Sequence, residues 1–129
     1  MSKAPALLVQ GDLEPLGALK RLLDAQSISN RRVHGCQEAA MELERLELPH
    51  LVFTDTHLPD GNWRDVLKLA SKSAARAAVI VVSRFFEMRL YLDVIESGAA
   101  DFVVPPFVPS ELAYVVSCAT ERLVREGQS

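Results

Sequence analysis

Residues 51–61 read "LVFTDTHLPDG", an apolar run that ends on a carboxylate and then enters a proline-glycine turn. A buried, unpaired charge is costly, so Asp55 must lie at a strand tip, find a partner, or react. The residues that could face such a carboxylate sit at the ends of the apolar runs. They are Gln10-Gly11-Asp12, His57, Ser83 followed by Arg84, and the Val104-Pro105-Pro106 stretch.

The remaining reactive side chains give weaker signals. His34, His50 and His57 are scattered along the chain without metal-ligand spacing, and each reads as a loop or surface histidine. The two cysteines, Cys36 and Cys118, read as reduced structural thiols. "GDLEPLG" has neither the lysine nor the spacing of a phosphate-binding loop. "VVSRFF" lacks the glycines of a nucleophile elbow. Trp63 reads as the cover of a helix start.

Five short apolar runs recur at 6–9, 31–35, 51–54, 78–83 and 101–105, rich in Val and Ile, as strands buried on both faces are. Helical periodicity fills the gaps. Leu16, Leu19, Leu22 and Leu23 share one face behind Asp12, a candidate N-cap. Further helices are predicted over 37–47, 63–72 and 85–97, the last ended by Gly98, and a final one starts at Pro109. Residues 85–97 are apolar nearly all round, which predicts burial on a second side. Strand and helix alternate five times. Parallel strands joined by helical crossovers give a doubly wound, five-stranded parallel α/β sheet of flavodoxin-like (βα)5 type, with helices on both faces. Such sheets bind ligands at the carboxyl ends of their strands, which is where Asp55 falls.

At 129 residues the chain is expected to be a single domain spanning 1–129. Its formal charge of −3 argues against direct nucleic-acid or anionic-membrane binding. No apolar run approaches the roughly 18 residues that span a bilayer. A cytoplasmic location is expected.

Over essentially its whole length the chain resembles the receiver domain of bacterial two-component response regulators. The resemblance rests on Asp55 followed by "LPDG", on Ser83, and on "ESGAADFVVPPF" at 96–107. It implies that Asp55 is the phosphoacceptor position and Ser83 the switch hydroxyl. It further implies that Phe102 is the switch aromatic and Pro106 the proline that follows a cis bond. It also shows departures. The acidic pair that holds Mg²⁺ in that family falls on Gln10 and Gly11, the lysine on Pro105, and the small residue after the hydroxyl on Arg84.

Phosphoryl transfer needs a divalent ion and a cation on the equatorial oxygens. Gln10 offers a neutral amide, Gly11 no side chain, and Pro105 neither an ammonium nor an N–H. Asp12 is either an N-cap or the remaining carboxylate of a rearranged metal site. Arg84, or His57, either supplies the missing positive charge to Asp55 or points to solvent. The expected function is an atypical receiver that is not an enzyme, acts by protein–protein interaction, and has little or no Mg²⁺-dependent phosphorylation of Asp55. No metal or cofactor is expected, and Mg²⁺ only if the conventional reading holds. Expected partners are a histidine kinase or an output domain in a longer chain, and a homodimer through 85–97 and 110–126. One alternative is a conventional receiver phosphorylated on Asp55 by a histidine kinase. Another is a small α/β enzyme or nucleotide binder.

Overall fold

The computed structural model describes residues 4–11 and 14–127. Apolar runs form the strands β1 (Ala6–Val9), β2 (Asn30–Val33), β3 (His50–Asp55), β6 (Ala77–Val82) and β7 (Asp101–Val103). They make one parallel sheet in the order β2-β1-β3-β6-β7. A second, two-residue pairing, β4 (His57–Leu58) with β5 (Gly61–Asn62), is antiparallel and folds the "LPDG" turn back on itself. It was not expected, because two-residue strands carry no periodicity.

The helices are α1 (Leu16–Ala25), α2 (Cys36–Arg45), α3 (Trp63–Lys72), α4 (Met88–Glu96) and α5 (Pro109–Gly127). Alternate strand residues face opposite layers. Leu7, Val9, Val52, Val79 and Val81 pack with Ala39 and Leu43 of α2, Val66 and Ala70 of α3, and Val94 of α4. Leu8, Phe53, Ile80 and Val82 pack with Leu16, Leu19 and Leu23 of α1 and with Leu112, Val116 and Leu123 of α5. This is the doubly wound sheet with both faces covered.

Three sequence expectations change. The helix placed at 85–97 begins only at Met88, so Phe85 and Phe86 belong to the loop before it. Its second side is not buried: Val94 alone is fully buried in α4, while Met88, Leu92 and Ile95 are exposed at helical spacing. Asp12 lies outside the described residues, and Pro15 stands at the N-cap of α1 without a side-chain cap.

The C-terminus of α4 is closed as its sequence predicts. Gly98 has φ 100, its N–H donates to the Ile95 carbonyl, and the Ala99 N–H donates to the Val94 carbonyl. That is a Schellman closure, which favours glycine at the left-handed position.

Candidate functional site

The parallel register brings the carboxyl ends of β1, β3 and β6 together. Val9 pairs with Thr54, and Asp55 with Val82, so Gln10 and Ser83 begin the loops on either side of Asp55. Asp55 lies two residues past Phe53 and so on the α1–α5 face of the sheet. It is only 3% exposed.

Among the described residues, the donors that reach its carboxylate come from the next residue. The Thr56 N–H donates to Oδ1 at 2.7 Å, and the Thr56 hydroxyl lies 3.4 Å from the same oxygen. His57 does not pair with Asp55 directly. Its Nδ1 lies 3.1 Å from Thr56 Oγ1, so the hydroxyl stands between the two groups.

Ser83 is buried beside the site, but its hydroxyl donates to the Phe85 carbonyl at 2.9 Å and accepts from the Phe85 N–H at 3.4 Å. The sequence leaves Arg84 either paired with Asp55 or facing solvent. Its Nη2 donates to the Glu14 carbonyl at 2.9 Å, because the loop after β1 puts that acceptor within reach.

Gln10 is 2% exposed, and its Oε1 is buried with no partner among the described residues. Gly11 is a seat for Pro59: a Cβ there would stand 2.8 Å from Pro59 Cδ. Among the described residues the donors at this tip are the Asp55 carboxylate and the neutral Gln10 amide, with no side chain at Gly11; Asp12 lies outside them. Among the described residues no three His, Cys, Asp or Glu side chains group to hold an ion. Mg²⁺ is a hard ion that prefers carboxylates, and among the described residues Asp55 supplies the one at this tip.

On β7, Phe102 points inward. Its ring meets Phe86 and Tyr91 edge-on at centroid distances of 6.2 and 5.8 Å, and Phe86 lies 5.7 Å from Tyr91. The Pro105–Pro106 bond is cis. Trp63 is buried at the start of α3 and carries the Arg64 guanidinium 4.5 Å from its ring centroid.

Sequence reasoning missed Asp60. Its carboxylate accepts from the N–H groups of Cys36 at 2.7 Å and Gln37 at 2.9 Å, capping α2 from another loop. The N-cap of α2 is Gly35, which cannot cap with a side chain, and a Cβ there would stand 2.5 Å from Asp60 Oδ1. The N–H groups of Gln37 and Cys36 hold the Asp60 carboxyl below its ordinary value. Such a group stabilises the fold above the unfolded carboxyl's pKa and loses that contribution as pH falls through its folded value. Asp60→Asn therefore lowers the thermal midpoint at neutral pH, and the gap to the parent closes in acid, as midpoints measured from pH 7 down to about 3 will show.

Burial, with Asp60 and Asp65 nearby, pushes the Cys36 thiol up to about 11, so it stays protonated and unreactive. It is a core thiol, as expected.

A doubly wound α/β domain with a carboxylate at the end of its central strand defines the class. No family model matches the chain. It is 33% identical to the chemotaxis protein CheY of Thermotoga maritima over 76 residues, 59% of this chain and 62% of that protein. It is 25% identical to the response regulator protein PilR of Pseudomonas aeruginosa over 119 residues, 92% of this chain and 26% of that protein. The chain thus spans less than two thirds of either relative. The CheY-like response regulator receiver domain protein from Methanospirillum hungatei superposes with a TM-score of 0.77 at 19% identity, covering 97% of this chain and 99% of that one. The chain has the CheY-like fold and is similar in sequence to response-regulator receivers.

No described helix is long and apolar enough to cross a membrane.

Proposed function

We propose that this receiver domain relays signals by protein–protein contact and undergoes little or no Mg²⁺-dependent phosphorylation of Asp55. The carrying observation is the donor set at the β1 tip: a buried, neutral Gln10 amide and a Gly11 filled by Pro59. With Pro105 at the lysine position, the β7 side offers no side-chain charge to a phosphoryl group on Asp55. Catalysis is no part of this reading. The partners are proteins, a histidine kinase or an output domain among them.

The contact surface is the loop before α4 together with α4 and α5. Phe85 is 78% exposed and Tyr114 71%, and Phe86, Met88 and Leu92 are exposed with them. Large apolar side chains grouped in this way mark an interaction face, including one that joins two copies.

A conventional phosphoacceptor is the second reading, favoured by Asp55, Ser83 and Phe102 standing where the family has its acceptor and switch. Incubating the protein with acetyl phosphate and Mg²⁺, and then weighing it intact, separates the two. The expected result is no adduct above that of Asp55→Asn. A stoichiometric adduct that Asp55→Asn abolishes would establish the second reading instead.

A further inference from the structure

The outer strands of the five-stranded sheet are β2 and β7. An outer strand presents backbone N–H and C=O groups that can take up a further strand. β2 answers this with charge, since Arg31 and Arg32 stand on it. β7 is apolar by comparison. The run "DFVV" at 101–104 is of the short, β-forming kind that pairs readily.

The backbone shows which groups of β7 lie at the open edge. The Ser83 N–H donates to the Val103 carbonyl at 3.0 Å, so Val103 turns its hydrogen-bonding groups to β6. Those of the residue before it, Phe102, then point the other way. Within β7 the Phe102 N–H is thus the donor turned to the edge, and it is already taken. It donates to Asp101 Oδ1 at 2.7 Å. A groove of about 270 Å³ opens alongside, lined by Phe102, Val103, Phe107 and Val115 and by the carboxylates of Asp101 and Glu111. An incoming strand would meet an apolar seat, an occupied donor and two negative charges.

We propose that the Asp101 carboxylate caps the edge of β7 and keeps this strand from pairing with β7 of a second copy. A carboxylate suits the task. It accepts from the N–H as a neighbouring strand would, but it offers no donor in return and continues no ladder. A two-fold pairing of β7 with β7 would also draw two like charges together. The inference stands apart from the behaviour of Asp55 and from the helical contact face.

Asp101→Ala tests it on the whole chain, read by light scattering over a concentration series and by amide exchange at Phe102 in NMR. At low concentration the variant keeps the parent's mass, and its Phe102 N–H exchanges about tenfold faster, the factor set by loss of one charge-assisted hydrogen bond. As concentration rises, its mean mass climbs above the parent's, and the Phe102 N–H is protected again because the other copy's strand holds it. Asp101→Asn keeps an acceptor and loses the charge, so it associates less than Asp101→Ala and more than the parent. If Asp101→Ala loses the native thermal transition, Asp101→Asn is read by the same mass criterion.

A folded variant whose mass follows the parent's at every concentration overturns the cap, whatever its exchange rate. So does an association that leaves the Phe102 N–H fast and protects amides of α4 or α5, because that contact belongs to the helical face.

Discussion

Phe53→Ala is expected to cost about 3–5 kcal/mol, the range for truncating a fully buried aromatic side chain. Phe53 is 0% exposed and heads the fully buried side chains by volume. It sits on the central strand β3, among Leu8, Ile80, Leu19 and Val116. Strands on both sides and helices α1 and α5 above leave the neighbours little freedom to collapse into the void. Domains of this size are stable by roughly 5–15 kcal/mol, so one such loss removes a large share. Urea unfolding followed by circular dichroism should show the midpoint falling steeply with little change in slope. A midpoint within error of the parent would contradict this placement of Phe53.

Gly98→Ala is expected to cost about 1–2 kcal/mol, from backbone conformation alone. Gly98 holds φ 100, and a Cβ built there meets nothing within 4 Å. Steric crowding is therefore excluded as the cause, and only the left-handed backbone remains. Gly98→Asn gives the control, because asparagine tolerates that region better than alanine. The asparagine variant should unfold at a higher urea concentration than the alanine variant. Equal losses would mean that the backbone is not the cause.

The three central strands, β1, β3 and β6, were legible because they are buried on both faces. Runs such as "ALLV" and "AVIVVS" leave no polar alternation to confuse them, and β1 and α3 fall where the sequence puts them. Helix α4 was misjudged because hydrophobicity was read as burial. The sequence of 85–97 does not show that the chain turns at Phe85–Glu87, or that Met88, Leu92 and Ile95 face outward.

At the site, Asp55, Ser83 and Phe102 were singled out from strand ends and resemblance. Two relationships were not. Arg84 was weighed between a pair with Asp55 and a solvent-facing position, whereas one of its donors reaches the Glu14 carbonyl, which no sequence pattern marks. Asp60 looked like a turn residue, but it caps a helix 23 and 24 positions earlier in the chain. Only the folding of the turn onto Gly35 brings them together.

The outward stripe on α4 has a thermal consequence. Phe85, Met88, Leu92 and Ile95 leave apolar surface in water in the folded state. Hydrating that surface raises the heat capacity, and covering it lowers it. A complex formed there would show a negative heat-capacity change in calorimetry. Its hydrophobic part would weaken on cooling, so chilled samples would understate the affinity of this face.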